Sequence, residues 1–196
     1  MEITIVLSAI AFVLSILLVI IPIALKNWAD YVHISDYSHS KPFRYKVLTS
    51  FAVAGLSQVY FLYATVRLIG NNVHGIELQA IQIGYILGIV GGLSILVIVL
   101  VDYHRWAGTH NMIMRSQVIS SLSGAGFISV GLLQFSPMPL VMFATSMLGF
   151  MYTFLIYPRK HNGKHIYAAE LNYLLTSAAW VFSVLLTLGS GLGSIG

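Results

Sequence analysis

Six long apolar runs alternate with short polar connections along the 196 residues. They cover Ile3–Leu25, Val47–Ile69, Leu78–Val101, Ser116–Phe135, Met138–Tyr157 and about Ala168–Leu188. A helix needs about 20 mostly apolar residues, at about 1.5 Å each, to cross a bilayer core of about 30 Å. The first and third runs hold no charge. The second is interrupted by Gln58 and, near its end, by Arg67, and the sixth has Glu170 in its first turn. The runs lack a two-residue period and are too long for barrel strands of about 10 residues. The pattern predicts an all-α polytopic membrane protein, with residues 1–196 forming a single transmembrane domain, a six-helix bundle. Buried helices of a soluble core account for one such run, not for six with so little polar sequence between them.

The connections refine this picture. Lys26–Lys46 gathers Trp28, Asp30, Tyr31, His33, Asp36, Tyr37, His39, Lys41, Pro42 and Arg44. Aromatic and basic residues at that density suit a segment lying in the membrane interface. Ser136-Pro137-Met138-Pro139 reads as a tight hairpin between spans four and five, and Gly189–Gly196 as a flexible tail. Pro22 predicts a kink near the end of span one, because its ring cannot donate to the helix ladder. The first run starts at Ile3 with no basic lead and exceeds a signal-peptide core, so a span rather than a cleaved signal is expected.

Composition then excludes whole classes. The chain is 58% hydrophobic and 8% charged, with mean hydropathy +0.86, where a soluble domain is about 25% charged. A soluble enzyme, a disordered chain and a nucleic-acid-binding domain are ruled out, and the net charge of +4 is too scattered for a phosphate-tracking stripe. The absence of cysteine removes disulfides, thiolate metal sites and palmitoylation. Nine of the ten basic residues fall in loops one–two, three–four and five–six, and only Arg67 lies on the other side. The positive-inside rule therefore expects those loops in the cytoplasm and both termini outside. Lys41, Arg44, Lys46, Arg159 and Lys160 are expected at headgroup level, attracting anionic lipid at about 1 kcal/mol each.

Candidate chemistry is sparse. Gly84, Gly88 and Gly92 recur every four residues in span three and form a small-residue face where another backbone can approach. Packing against span four, with its Ser120, Ser121, Ser123, Gly124 and Gly126, is the plainer reading, and a seam for a partner subunit or second copy is the other. Six of the seven histidines lie on the basic side. His33, His39, His104, His110, His161 and His165, with Asp36 and Asp102, form the candidate set for a zinc, iron or copper site or an acid–base pair. Juxtamembrane histidines more commonly meet headgroups, water or carbonyls, so no metal and no cofactor are expected. There is no Walker loop, dinucleotide fingerprint, HExxH or GxSxG motif. Transporters usually carry ionisable groups near the midplane. Here only Gln58, Gln82 and Glu170 come close, and each is expected to bond a neighbouring helix or a headgroup.

The loop after span one, His33-Ile34-Ser35-Asp36-Tyr37 followed by Pro42-Phe43, resembles the loop of the FGF-receptor-activating / DRAM superfamily, six-span eukaryotic proteins with a prokaryotic branch. His110 before span four resembles that family's histidine at the same place. His165 with Ala168-Ala169 and Asn172-Tyr173 resembles its lead into span six, with Asn172 in place of an acid and Tyr173 in place of a tryptophan. The resemblance implies a six-span fold. For function it implies non-catalytic membrane proteins linked to lipid-anchor remodelling, autophagy or lipid-kinase scaffolding. It also implies the first loop facing away from the cytosol, against the count of basic residues, and the count is kept. The sequence thus predicts a non-enzymatic integral membrane protein. It would interact with membrane lipids or serve as an accessory subunit or homo-oligomer, with no catalytic residues and no nucleic-acid partner. A metal-dependent lipid hydrolase using the histidine and aspartate cluster, and a small transporter or channel, are the alternatives.

Overall fold

The structure, a computed structural model, describes residues 3–22, 44–70, 72–101, 103–155 and 165–192, with side chains for 105–152 and 170–190 in the last two stretches. These hold six helices and no strand: α1 (Ile3–Ile20), α2 (Arg44–Ile69), α3 (Gly75–Ile98), α4 (Tyr103–Gly131), α5 (Met138–Leu155) and α6 (His165–Leu192). The chain is all-α through its described residues. Four helices are long and apolar enough to cross a membrane: α1, α2, α3 and the Glu170–Ser190 part of α6. That suggests an integral membrane protein.

α4 and α5 depart from the six-run pattern in different ways. α4 has the length, but Ser116, Gln117, Ser120, Ser121 and Ser123 dilute its hydropathy. The apolar stretch of α5 covers only Met138–Tyr152 among the described residues. The starts of α2, α3 and α4 lie before the apolar runs, since helical geometry continues through polar turns, whereas α3 ends at Ile98, short of Val101, and α4 at Gly131, short of Phe135. α2 begins at Arg44 rather than Val47, and α3 at Gly75 rather than Leu78. α4 begins at Tyr103 rather than Ser116 and kinks at Trp106, where φ is −135° and ψ 47°. α6 continues past Gly189 to Leu192, so part of the expected tail is helical.

Upstream of Pro22, where a kink is expected, the helix widens. α1 is α-helical over Ile3–Leu14 and π-helical over Ser15–Ile20, with the Ile21 N–H bonded to Ile16 O. A proline ring clashes with the carbonyl four residues back. At the first residue of α3, Gly75 adopts a φ of 65°, a left-handed conformation that a side chain would strain. The α4–α5 hairpin is tight: Ser136 Oγ accepts the Met138 N–H at 3.1 Å, and Pro139 occupies the first turn of α5, where its missing N–H costs nothing.

Consecutive helices are neighbours, and α6 returns to α1, which closes the bundle into a ring. α3 is its spine. A Cβ at Gly92 would lie 3.1 Å from Gly55 O, and one at Gly55 would lie 2.8 Å from Gly92 O. On the other side, a Cβ at Gly84 would lie 2.8 Å from Gly124 O, and one at Gly124 would lie 2.8 Å from Gly88 N. Both crossings therefore bring backbone against backbone, which glycine alone permits.

Candidate functional site

The polar residues that the described structure brings together lie inside the bundle. Gln58, midway along α2, donates through Nε2 to Gly88 O of α3 at 3.1 Å and to Ser121 Oγ of α4 at 3.3 Å. The amide can reach that carbonyl because Gly88 has no side chain to cover it. One turn before Ser121 on the same face of α4, Gln117 donates to Tyr173 Oη of α6 at 2.7 Å. The hydroxyls of Ser121 and Ser177 lie against the same phenol oxygen. Two turns further along α6, Trp180 Nε1 donates to Ser129 Oγ at 2.9 Å, and Ser129 donates to Ala125 O at 2.7 Å. Gln58, Ser121, Gln117 and Tyr173 thus join α2, α3, α4 and α6 through one part-buried chain of polar groups, and the Trp180–Ser129 pair ties α6 to α4 separately. In a medium without water such bonds are the available way to satisfy these atoms.

Helical spacing places the chain. Gln117 and Ser121, and likewise Tyr173 and Ser177, are four residues apart and share a helix face. The opposite faces are apolar and open, with Ile119 64% exposed on α4 and Phe182 56% on α6. Two small cavities flank the chain. One of about 40 Å³ is bordered by residues of all six helices, among them Gln58, Ser121, Ser146 and Trp180. The other, about 50 Å³, is bordered by Gln117, Glu170 and Met114 with apolar residues of α1, α2 and α3. Within the described residues two buried polar atoms have no hydrogen-bond partner, Thr65 Oγ1 and Asn172 Nδ2. Asn172 packs on Gly149 of α5, where a Cβ would lie 2.9 Å from Nδ2.

The residues singled out from the sequence are placed unevenly. Gly84 faces α4, Gly92 faces α2, and Gly88 meets Leu62 of α2 and Gly124 of α4, so all three sit in contacts within the chain. Gln58 bonds a neighbouring helix, Gln82 is exposed, and Glu170 is half-buried beside the second cavity. His33, Asp36, His39, Asp102 and His161 lie outside the described residues, as do Lys41, Arg159 and Lys160 and the Ile34–Phe43 loop. The side chains of His104 and His165 are likewise outside. His110 is fully buried, with Nδ1 2.8 Å from Val101 O. No group of three metal-ligating side chains converges among the described residues. Arg44 and Lys46 are exposed on the first turn of α2.

Tyr173, Trp180, Gln117 and Ser129 were not singled out as functional. The available signal was the stripe Gln117, Ser121, Gly124 on α4, polar or small at helical spacing in an otherwise apolar stretch. No family model matches the chain, and no curated protein or solved structure matches it either.

Proposed function

We propose that the chain is a six-span integral membrane protein without catalytic activity of its own, a lipid-embedded bundle acting as an accessory or structural component. The observation that carries this reading is the outward face of the ring. Each of the six helices exposes large apolar side chains: Leu7 and Leu18 on α1, Leu56 on α2, Ile86 on α3, Ile119 on α4, Leu148 on α5 and Phe182 on α6, all between 56% and 69% exposed. Monomeric soluble proteins rarely expose large contiguous apolar surface, whereas in lipid it costs nothing. Apolar faces on α4 and α5 argue that these two helices cross as well, despite their weaker hydropathy. The Gln58 and Gln117 amides, the Trp180 indole and the Tyr173 phenol are each bonded to a neighbouring helix, which suits cohesion rather than turnover. The resemblance of the first loop to the FGF-receptor-activating / DRAM superfamily fits this reading. The basic residues of the alternate loops support cytoplasmic placement of those loops and external termini. A channel or transporter is the second reading, and the two cavities flanking the polar chain favour it.

The test is extraction in native-lipid discs followed by elemental and lipid analysis. The expected outcome is enrichment of anionic phospholipid over the surrounding membrane and no stoichiometric metal. Near-stoichiometric zinc, iron or copper, lost on His110→Ala or His165→Ala, would contradict it and favour the hydrolase.

A further inference from the structure

The two cavities share one wall. Phe12, Tyr173 and Ser177 border both, so a single layer of side chains separates them. The Tyr173 hydroxyl lies in that layer. Gln117 bonds it from the wall of the second cavity, and Ser121, on the wall of the first, lies against it. A water molecule needs roughly 10–15 Å³ and two to four polar partners. Both volumes, about 40 and about 50 Å³, exceed that need. In otherwise mostly apolar walls, the polar residues are Gln58, Ser121, Ser146, Thr176 and Ser177 in one, and Gln117, Glu170 and Ser177 in the other. Gln117 spends its amide N–H on Tyr173 and keeps a carbonyl oxygen able to accept from water.

The interior is asymmetric along its length. Past Trp180 and Ser129 it is closely packed, with Ile5, Ile128, Leu132, Val184 and Leu188 between 0% and 2% exposed, and the buried Ser183 and Thr187 hydroxyls there donate to carbonyls of their own helix at 2.7 and 3.0 Å. On the opposite side the second cavity takes in Glu170, at the end of the bundle where α4 and α6 begin.

We propose that the paired cavities form a hydrated half-channel. Water enters beside Glu170, passes the Tyr173 hydroxyl and stops at the Trp180–Ser129 pair. Water, and protons carried on it, then reach the centre of the bundle from one end only. Rotation of one phenol hydroxyl in the dividing layer is enough to pass a hydrogen bond from one cavity to the other, with no helix movement. This goes beyond the cohesive role proposed above and does not depend on the lipid or the partners.

X-ray hydroxyl-radical footprinting of the protein in lipid nanodiscs tests it, because radicals form from water in place and mark the side chains touching it. Rates are normalised to each residue in the unfolded chain. Met114, Tyr173 and Trp180 are expected to be labelled, and Leu132 and Leu188 to be protected. Ser177→Leu fills the dividing layer and should cut labelling of Trp180 several-fold while Met114 keeps its own. Gln117→Met, of similar size, removes a polar partner and should lower labelling of Tyr173 if the first variant does not fold. Tyr173 as protected as Leu188 in the unmodified protein overturns the proposal. So does undiminished labelling of Trp180 in folded Ser177→Leu, which would mean water arrives from the other end.

Discussion

At Tyr173 the phenol oxygen takes a hydrogen bond from Gln117 and lies against two serine hydroxyls. Removing it leaves those partners in an apolar interior. Interhelical hydrogen bonds in membrane bundles average about 0.6 kcal/mol and reach about 1.7. Tyr173→Phe is therefore expected to cost about 1 kcal/mol in reversible detergent unfolding, and Gln58→Leu a similar amount. Unchanged stability in both would show that the buried chain is not cohesive. Gln58 was legible in the sequence because an amide in an apolar run has few alternatives to an interhelical bond. Tyr173 and Trp180 were not. Aromatic residues in a membrane helix pass for core or interface residues, and their partners are 56 and 51 residues away. Nothing local in the sequence encodes such a pairing.

α3 shows what glycine spacing does and does not convey. The four-residue recurrence of Gly84, Gly88 and Gly92 marks a contact face, but not how the face is shared. The structure divides it, with Gly92 against Gly55 of α2 and Gly84 and Gly88 against Gly124 of α4. Gly88→Leu drives bulk into the Leu62 side chain of α2, and forcing bulk into a packed site costs about 1–3 kcal/mol or more. Lower expression or a lower melting temperature in detergent is expected. Gly108→Ala is the control. A Cβ there has nothing within 4 Å, so the helical preference of alanine, about 0.5–1 kcal/mol, should leave stability equal or higher. Equal melting of the two variants would refute the shared-spine arrangement. The element ends were harder to read, because the polar turns of α4 before Ser116 carry no apolar period. The inward polar stripe of the same helix conceals its outward apolar face in any average taken over all sides.

Across the described residues, apolar side chains both fill the core and cover the outside, unlike a soluble domain with its polar surface. Large apolar side chains face outward on every helix, while Gln58, Gln117, Tyr173 and Trp180 bond across helices inside. The basic residues gather at one end of the sequence pattern, and Arg44 and Lys46 are exposed there at the start of α2. Each is expected to contribute about 1 kcal/mol toward an anionic membrane surface. Retention of phosphatidylglycerol by the purified protein should fall as salt rises, and fall further in an Arg44→Ala/Lys46→Ala variant; salt-independent retention would remove the surface electrostatic role. The number of crossings is the claim on which the rest stands, and the lack of cysteine makes it directly measurable. Single cysteines at Ser40, Asn72, Ser136, Asn162 and Ser194 can be labelled in sealed cells with a membrane-impermeant maleimide. The six-span arrangement predicts labelling at Asn72, Ser136 and Ser194, and protection at Ser40 and Asn162 until the membrane is opened. Labelling of Asn72 and Ser136 from opposite sides would mean that α3 and α4 do not both cross, and would contradict it.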